Sequence, residues 1–148
     1  MFSSPNRLLA TGFGAVYVLV GLLGFTVTAG VPFLAISNGT LLLGLFQVNI
    51  LHNVAHLIIG ALLLICGLSS VSAAKGMNSG IGAVYLLLGL VGLFLVGTDA
   101  NILAINGADN VLHFGSAIVL LAVGLGADKN PAKAPPATPP TSAAPSGA

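Results

Sequence analysis

An all-α fold, an integral membrane four-helix bundle, is what this sequence predicts, and three observations carry that expectation. Only 5% of the 148 residues are charged while 56% are hydrophobic, whereas soluble domains carry roughly a quarter charged residues. Four apolar stretches approach the ~20 residues that a helix needs to cross a hydrocarbon core about 30 Å thick. All four Lys and Arg residues fall where a chain of four alternating spans returns to the same side. A soluble fold of this composition, with a mean hydropathy of +1.07, would expose contiguous Leu and Val and aggregate.

The first span is expected over residues 8–28. Arg7 before it and Val27, Thr28 and Ala29 at its end give it some likeness to a secretory leader. Signal h-regions run only about 7–15 residues, so the expectation is a retained helix. Residues 41–48 are apolar but interrupted by Gln47, with Asn49 following, and read as a short interfacial or re-entrant helix leading into the second span, 51–68. The third and fourth spans have short apolar cores, 81–96 and 111–126, and reach across with flanking residues as 77–97 and 109–126. Residues 1–127 thus form one four-span domain. From 128 to 148 the chain turns to Ala, Pro, Ser and Thr, with Pro131, Pro135, Pro136, Pro139, Pro140 and Pro145, a composition that cannot bury apolar side chains and reads as a disordered tail.

Arg7 precedes span one, Lys75 lies between spans two and three, and Lys129 and Lys133 follow span four. The positive-inside rule assigns these positions to the cytoplasm. Both termini are therefore expected inside, in a bacterial cytoplasmic (inner) membrane.

An internal repeat is the most informative pattern. GAVYVLVGLLG at 14–24 returns as GAVYLLLGLVG at 82–92, Asn38 and Gly39 answer to Asn106 and Gly107, and NILH at 49–52 answers to NVLH at 110–113. The chain reads as two helical hairpins of parallel topology, with 41–48 as an extra piece in the first and with His52 and His113 as counterparts. Gly14 with Gly21, and Gly82 with Gly89, place small residues on one stripe, which lets helix backbones approach closely in lipid. Tyr17 and Tyr85 are expected to hydrogen-bond inside the bundle.

All three His residues fall at the outer end. His52 and His56, four residues apart, share a helical face, and Asn49, Asn53, Asp109 and Asn110 lie at the same level. Asn49, Asn53, Asp109 and Asn110 are candidate structural caps for helix N-termini, Asp109 also complementing the positive helix end. His52, His56 and His113 are candidate cofactor ligands, for haem on facing helices; with Asp109 they form a candidate metal set, to which Asp99 in the outer loop could also contribute. Proton or ligand handling by these His residues is a third use. No Glu stands between the His residues as in a zincin. Cys66, the single cysteine, excludes an intramolecular disulfide framework and lies too far along span two to join this cluster.

The segment 48–57 (VNILHNVAHL), with NGADNVLH at 106–113, resembles the small four-helix bacterial membrane proteins, frequent in actinobacteria, that are catalogued as a domain of unknown function. The resemblance covers residues 5–127. It implies a bacterial inner-membrane protein with four spans, makes Asn49, His52, Asn53, His56, Asp109, Asn110 and His113 motif positions, and implies no activity.

No nucleophile–base pair, phosphate loop or dinucleotide fingerprint occurs, and a net charge of +1 offers no face for nucleic acid. The expected function is that of a non-enzymatic membrane protein of structural or accessory type. Its partners would be the lipid bilayer and a second copy of itself or a larger membrane complex. The alternative is a protein binding metal, haem or quinone at the outer face through the His cluster. A small transporter is a weaker third reading, because the spans carry no charge along an ion path.

Overall fold

The computed structural model describes residues 4–36 and 39–129. Four helices, α1 (Pro5–Val27), α2 (Ile50–Ser69), α3 (Val71–Leu95) and α4 (Gly107–Gly126), are each long and apolar enough to cross a membrane. The expected all-α bundle is the observed one. Residues 130–148 of the expected tail, and Asn38 of the repeat, lie outside the described residues.

Local chemistry sets the helix ends. Ser4 caps α1, its Oγ accepting from the Arg7 N–H, with Pro5 opening the helix, where its missing N–H costs nothing. Ser70 alone joins α2 to α3 and caps α3 by accepting from the Ala73 N–H. This cap starts α3 at Val71 rather than near residue 77, so Lys75 lies within the helix.

The segment 41–48 is a β-hairpin, not the expected interfacial helix. Strands β1 (Thr40–Leu42) and β2 (Phe46–Val48) pair antiparallel with Thr40 opposite Val48 and Leu42 opposite Phe46. Leu43 and Gly44 both have positive φ (54° and 71°), and the Leu45 N–H closes the turn on the Leu42 carbonyl at 3.1 Å. Two left-handed residues in sequence let the chain reverse within the three-residue loop 43–45. A short apolar run has no periodicity that separates strand from helix, which is why the sequence misled here.

The bundle is apolar outside and small or polar inside. Ala10, Ala74 and Ala117 are fully buried together with Asn6, Asn53 and Asn78, while Leu87, Phe94, Val111 and Ile118 face outward. That inversion suits lipid, where large apolar side chains need no burial and close backbone approach drives association. Helix α1 packs chiefly on α2, and α3 chiefly on α4. A Cβ on Gly14 would fall 2.7 Å from the Leu64 amide nitrogen, so only glycine permits that α1–α2 crossing. Near the other end of each pair, Gly24 faces the Asn53 side chain and Gly92 faces that of Asn110.

A polar clasp closes the end that carries both described termini. Asp128 Oδ2 accepts from Ser4 Oγ (2.7 Å), Asn6 Nδ2 (3.0 Å) and the Asn6 N–H (3.1 Å). Those hydrogen bonds from Ser4 and Asn6 hold its carboxyl below the usual carboxylate range. Arg7 donates to the Gly67 and Leu68 carbonyls at the end of α2 (2.9 and 2.8 Å), where a cation suits the helix dipole. Lys75 Nζ donates to the Ala127 carbonyl at 3.3 Å.

Candidate functional site

The opposite end holds the histidines. Asn49 caps α2, its Oδ1 accepting from the His52 N–H at 2.8 Å while its Nδ2 donates to the Ile102 carbonyl at 2.8 Å. The cap fixes where the helix starts, and so which face His52 and His56 occupy. On α4 the N-cap is Asn106, which the sequence reading passed over, and Asp109 completes a capping box with it. Asp109 Oδ2 accepts from the Asn106 N–H (2.8 Å) and from the Gln47 N–H of the hairpin (3.0 Å). With Asn106 Nδ2 donating to the Leu45 carbonyl at 2.8 Å, the hairpin is pinned across the start of α4 as a roof.

Beneath the roof, five rings meet in a closed circuit. His52 lies 4.6 Å from His56 between ring centroids, His56 lies 5.6 Å from Tyr17, and Tyr17 lies 5.5 Å from Tyr85. Tyr85 stacks on His113 at 5.3 Å, and His113 returns to His52 at 6.4 Å. Tyr17 Oη donates to Ser116 Oγ at 2.9 Å. The expectation that the three His form one cluster is met.

These rings form one wall of a cavity of about 290 Å³. Apart from Asp109 and Ser116 of α4, its other walls are apolar, among them Phe13, Val16 and Val20 of α1, Leu112 of α4, and Leu42 and Phe46 of the hairpin. Val16, Leu43 and Leu112 at its rim are exposed on the lipid-facing side, so the chamber opens sideways between α1 and α4. Four buried polar atoms on its lining residues have no hydrogen-bond partner: Nδ1 of His52, His56 and His113, and Oη of Tyr85. Leaving such a group unsatisfied costs about 1–3 kcal/mol.

Several expected roles are redistributed. Asn53 and Asn110 do not cap; Asn53 Nδ2 donates to Thr28 Oγ1 at 3.1 Å, and both side chains are buried against glycines of the preceding helix. The metal set of His52, His56, His113 and Asp109 is not assembled: among the described residues no three His, Cys, Asp or Glu side chains are arranged to hold an ion. Asp109 instead satisfies two backbone N–H groups. Asp99 is exposed beyond the end of α3. Cys66 is half-buried in α2, away from the chamber.

The register expected between the two halves also shifts by one helical turn. Asn49 and Asn106 are the caps, and Asn53 and Asn110 oppose the matched glycines. Counting from either landmark, His56 stands where His113 does, and His52 stands where Asp109 does. The sequence contains NILH at 49–52 and NVAH at 53–56, one turn apart and both of the form Asn-x-x-His, so either could be matched to NVLH. Tyr17, Tyr85 and Ser116 were missed as site residues, although the two tyrosines recur at the same place in the repeated segment.

Fold and chamber together define a multi-pass membrane protein with a polar, ring-lined cavity at one end of a four-helix bundle. The chain belongs to the family described as Domain of unknown function (DUF4383), whose model matches residues 7–126. No curated protein and no solved structure matches it.

Proposed function

We propose that this is a non-enzymatic accessory protein of the bacterial cytoplasmic membrane that holds a lipophilic molecule in the chamber beneath its hairpin. One observation carries the reading: four buried polar atoms without partners gather on a cavity whose rim opens toward lipid. A bundle serving only as packing material would satisfy or omit such groups. A membrane-derived ligand with a polar head satisfies them and leaves its apolar remainder among Val16, Leu43 and Leu112.

The proposed orientation has both termini in the cytoplasm and the chamber at the outer face. Arg7, Lys75 and Lys129 lie toward the clasp end, which supports it through the positive-inside rule. The matched caps and matched Asn–glycine contacts of the two halves support an origin by duplication, with the hairpin as the piece peculiar to the first. Self-association or docking on a larger membrane complex belongs to the same accessory role.

The test is chemical analysis of what the protein carries. Protein purified in mild detergent should yield, on organic extraction and mass spectrometry, one lipophile in near-stoichiometric amount. Val16→Trp, which fills the rim from an exposed position, should carry none. A haem absorption band in the purified protein, or an identical lipid profile in both proteins, would contradict the reading.

A further inference from the structure

We infer that the chamber selects its lipid by charge, admitting a head that is uncharged and bears oxygen and excluding any head with a formal charge. This rests on the reading that the chamber holds a lipophile. It names the class as neutral lipids of the alcohol, ester or ketone kind, as against phospholipids and other ionic lipids.

An anionic head finds no counter-ion. Arg7 is engaged with the Gly67 and Leu68 carbonyls and Lys75 with the Ala127 carbonyl, all at the clasp end. Among the described residues no Lys or Arg lines the chamber, whereas the carboxylate of Asp109 does. A phosphate or sulfate would therefore enter beside a like charge, in surroundings where an unpaired ion is heavily penalised. Recruiting a histidine as counter-ion would bury two charges, since His52 and His113 are only 4% and 6% exposed. A buried ion pair gains little over neutral groups of the same shape.

A cationic head fares no better. Asp109 Oδ2 already accepts from the Gln47 and Asn106 N–H groups, the contacts that hold the roof. An aromatic cage binds a quaternary ammonium through open ring faces, and here the rings pack on one another. Tyr17 meets Phe13, His56 and Tyr85, and Tyr85 meets Tyr17 and His113.

The oxygen follows from what lacks a partner. The Tyr85 hydroxyl, 2% exposed, is a donor without an acceptor, and a hydroxyl, ester or ketone oxygen each supplies one. A bare hydrocarbon would leave it, and the three Nδ1 atoms, unsatisfied. A volume of about 290 Å³ lies at the small end of ligand pockets, which run about 300–1,000 Å³. It suits a head and the first few carbons, while the exposed rim of Val16, Leu43 and Leu112 lets the tail remain in the leaflet.

Both tyrosines of the chain belong to the ring circuit, and Trp is absent, so intrinsic tyrosine emission reports on the chamber. The full chain, stripped of co-purified lipid and reconstituted in phosphatidylcholine vesicles, is titrated with six probes of matched chain length. Three are neutral and bear oxygen (hexadecanol, methyl palmitate and the methyl ketone), two carry permanent charge (hexadecyl sulfate and hexadecyltrimethylammonium), and one is hexadecane. The tightest neutral probe should bind about tenfold more strongly than either ion or hexadecane. Preference for the alcohol, the ester or the ketone points to an alcohol, a glyceride or a quinone as the natural source, and equal binding of the three supports the class as a whole. Leu112→Lys, which brings a cation to the rim from an exposed position, should raise sulfate affinity about tenfold and leave the alcohol's unchanged. Val16→Trp, also at an exposed site, should abolish every response. Either ion binding as tightly as the neutral probes, hexadecane matching them, or a Leu112→Lys chain that still rejects the sulfate would overturn the charge selection and leave the chamber standing. No change in emission with any probe, or the same changes in Val16→Trp, would overturn both.

Discussion

Tyr17 on α1 donates its hydroxyl to Ser116 on α4 at 2.9 Å, a hydrogen bond across two helices that otherwise pack mainly on other partners. It braces the chamber where the two walls diverge toward lipid. A buried neutral hydrogen bond contributes about 0.5–1.5 kcal/mol. Tyr17→Phe and Ser116→Ala should each lower the melting temperature in detergent, and the double variant should lose less than the sum of the two. Strict additivity in this double-mutant cycle would mean that the bond contributes nothing.

The glycines opposite Asn53 and Asn110 should tolerate no side chain. A Cβ on Gly24 would collide with the Asn53 amide, and one on Gly92 with that of Asn110. Gly24→Ala and Gly92→Ala should each destabilise by about 1–3 kcal/mol, the usual range for overpacking. Gly12→Ala, where a Cβ meets nothing within 4 Å, should be neutral or slightly stabilising because alanine favours helix. Equal effects at all three positions would remove the close-approach account.

The clasp at the other end should give the protein an acid-sensitive stability. Ser4 and Asn6 hold the Asp128 carboxyl below its ordinary range, so its folded pKa lies under its unfolded one. The stabilisation is then fully present above the unfolded carboxylate pKa and is lost as pH falls through the folded value. Thermal unfolding followed from neutral to acid pH should show this loss in the wild type. Asp128→Asn should start from lower stability and show a shallower decline; an unchanged profile would contradict the clasp.

How much of this was legible beforehand follows from where the sequence signals are redundant. The helices announced themselves through length and apolarity, and Asn49 through its place before an apolar run. The hairpin did not, because Leu41 to Val48 is too short for a period to show and its turn depends on Leu43 accepting a positive φ. The His cluster was visible as composition at one level of the membrane. Its internal register was not, because two Asn-x-x-His tetrads lie one turn apart and only the caps and the Gly24–Asn53 contact choose between them. Tyr17 and Tyr85 looked like packing residues in an apolar repeat; a ring circuit is a tertiary fact that spacing along one helix cannot express.

Orientation is testable by labelling. In a Cys66→Ala background, Asp99→Cys should react with a membrane-impermeant reagent in intact cells, and Lys129→Cys only after lysis. Both positions are exposed and lie at opposite ends of the bundle. The reverse pattern would overturn the proposed orientation without touching the chamber.

The most direct test of the chamber is the ¹⁵N NMR spectrum of the histidines in full-length protein held in nanodiscs. The ring-nitrogen resonances of His52, His56 and His113, whose Nδ1 atoms have no partner in the protein, should differ between protein that keeps its co-purified lipophile and protein stripped of it before reconstitution. Identical histidine spectra before and after stripping would contradict the chamber's occupancy.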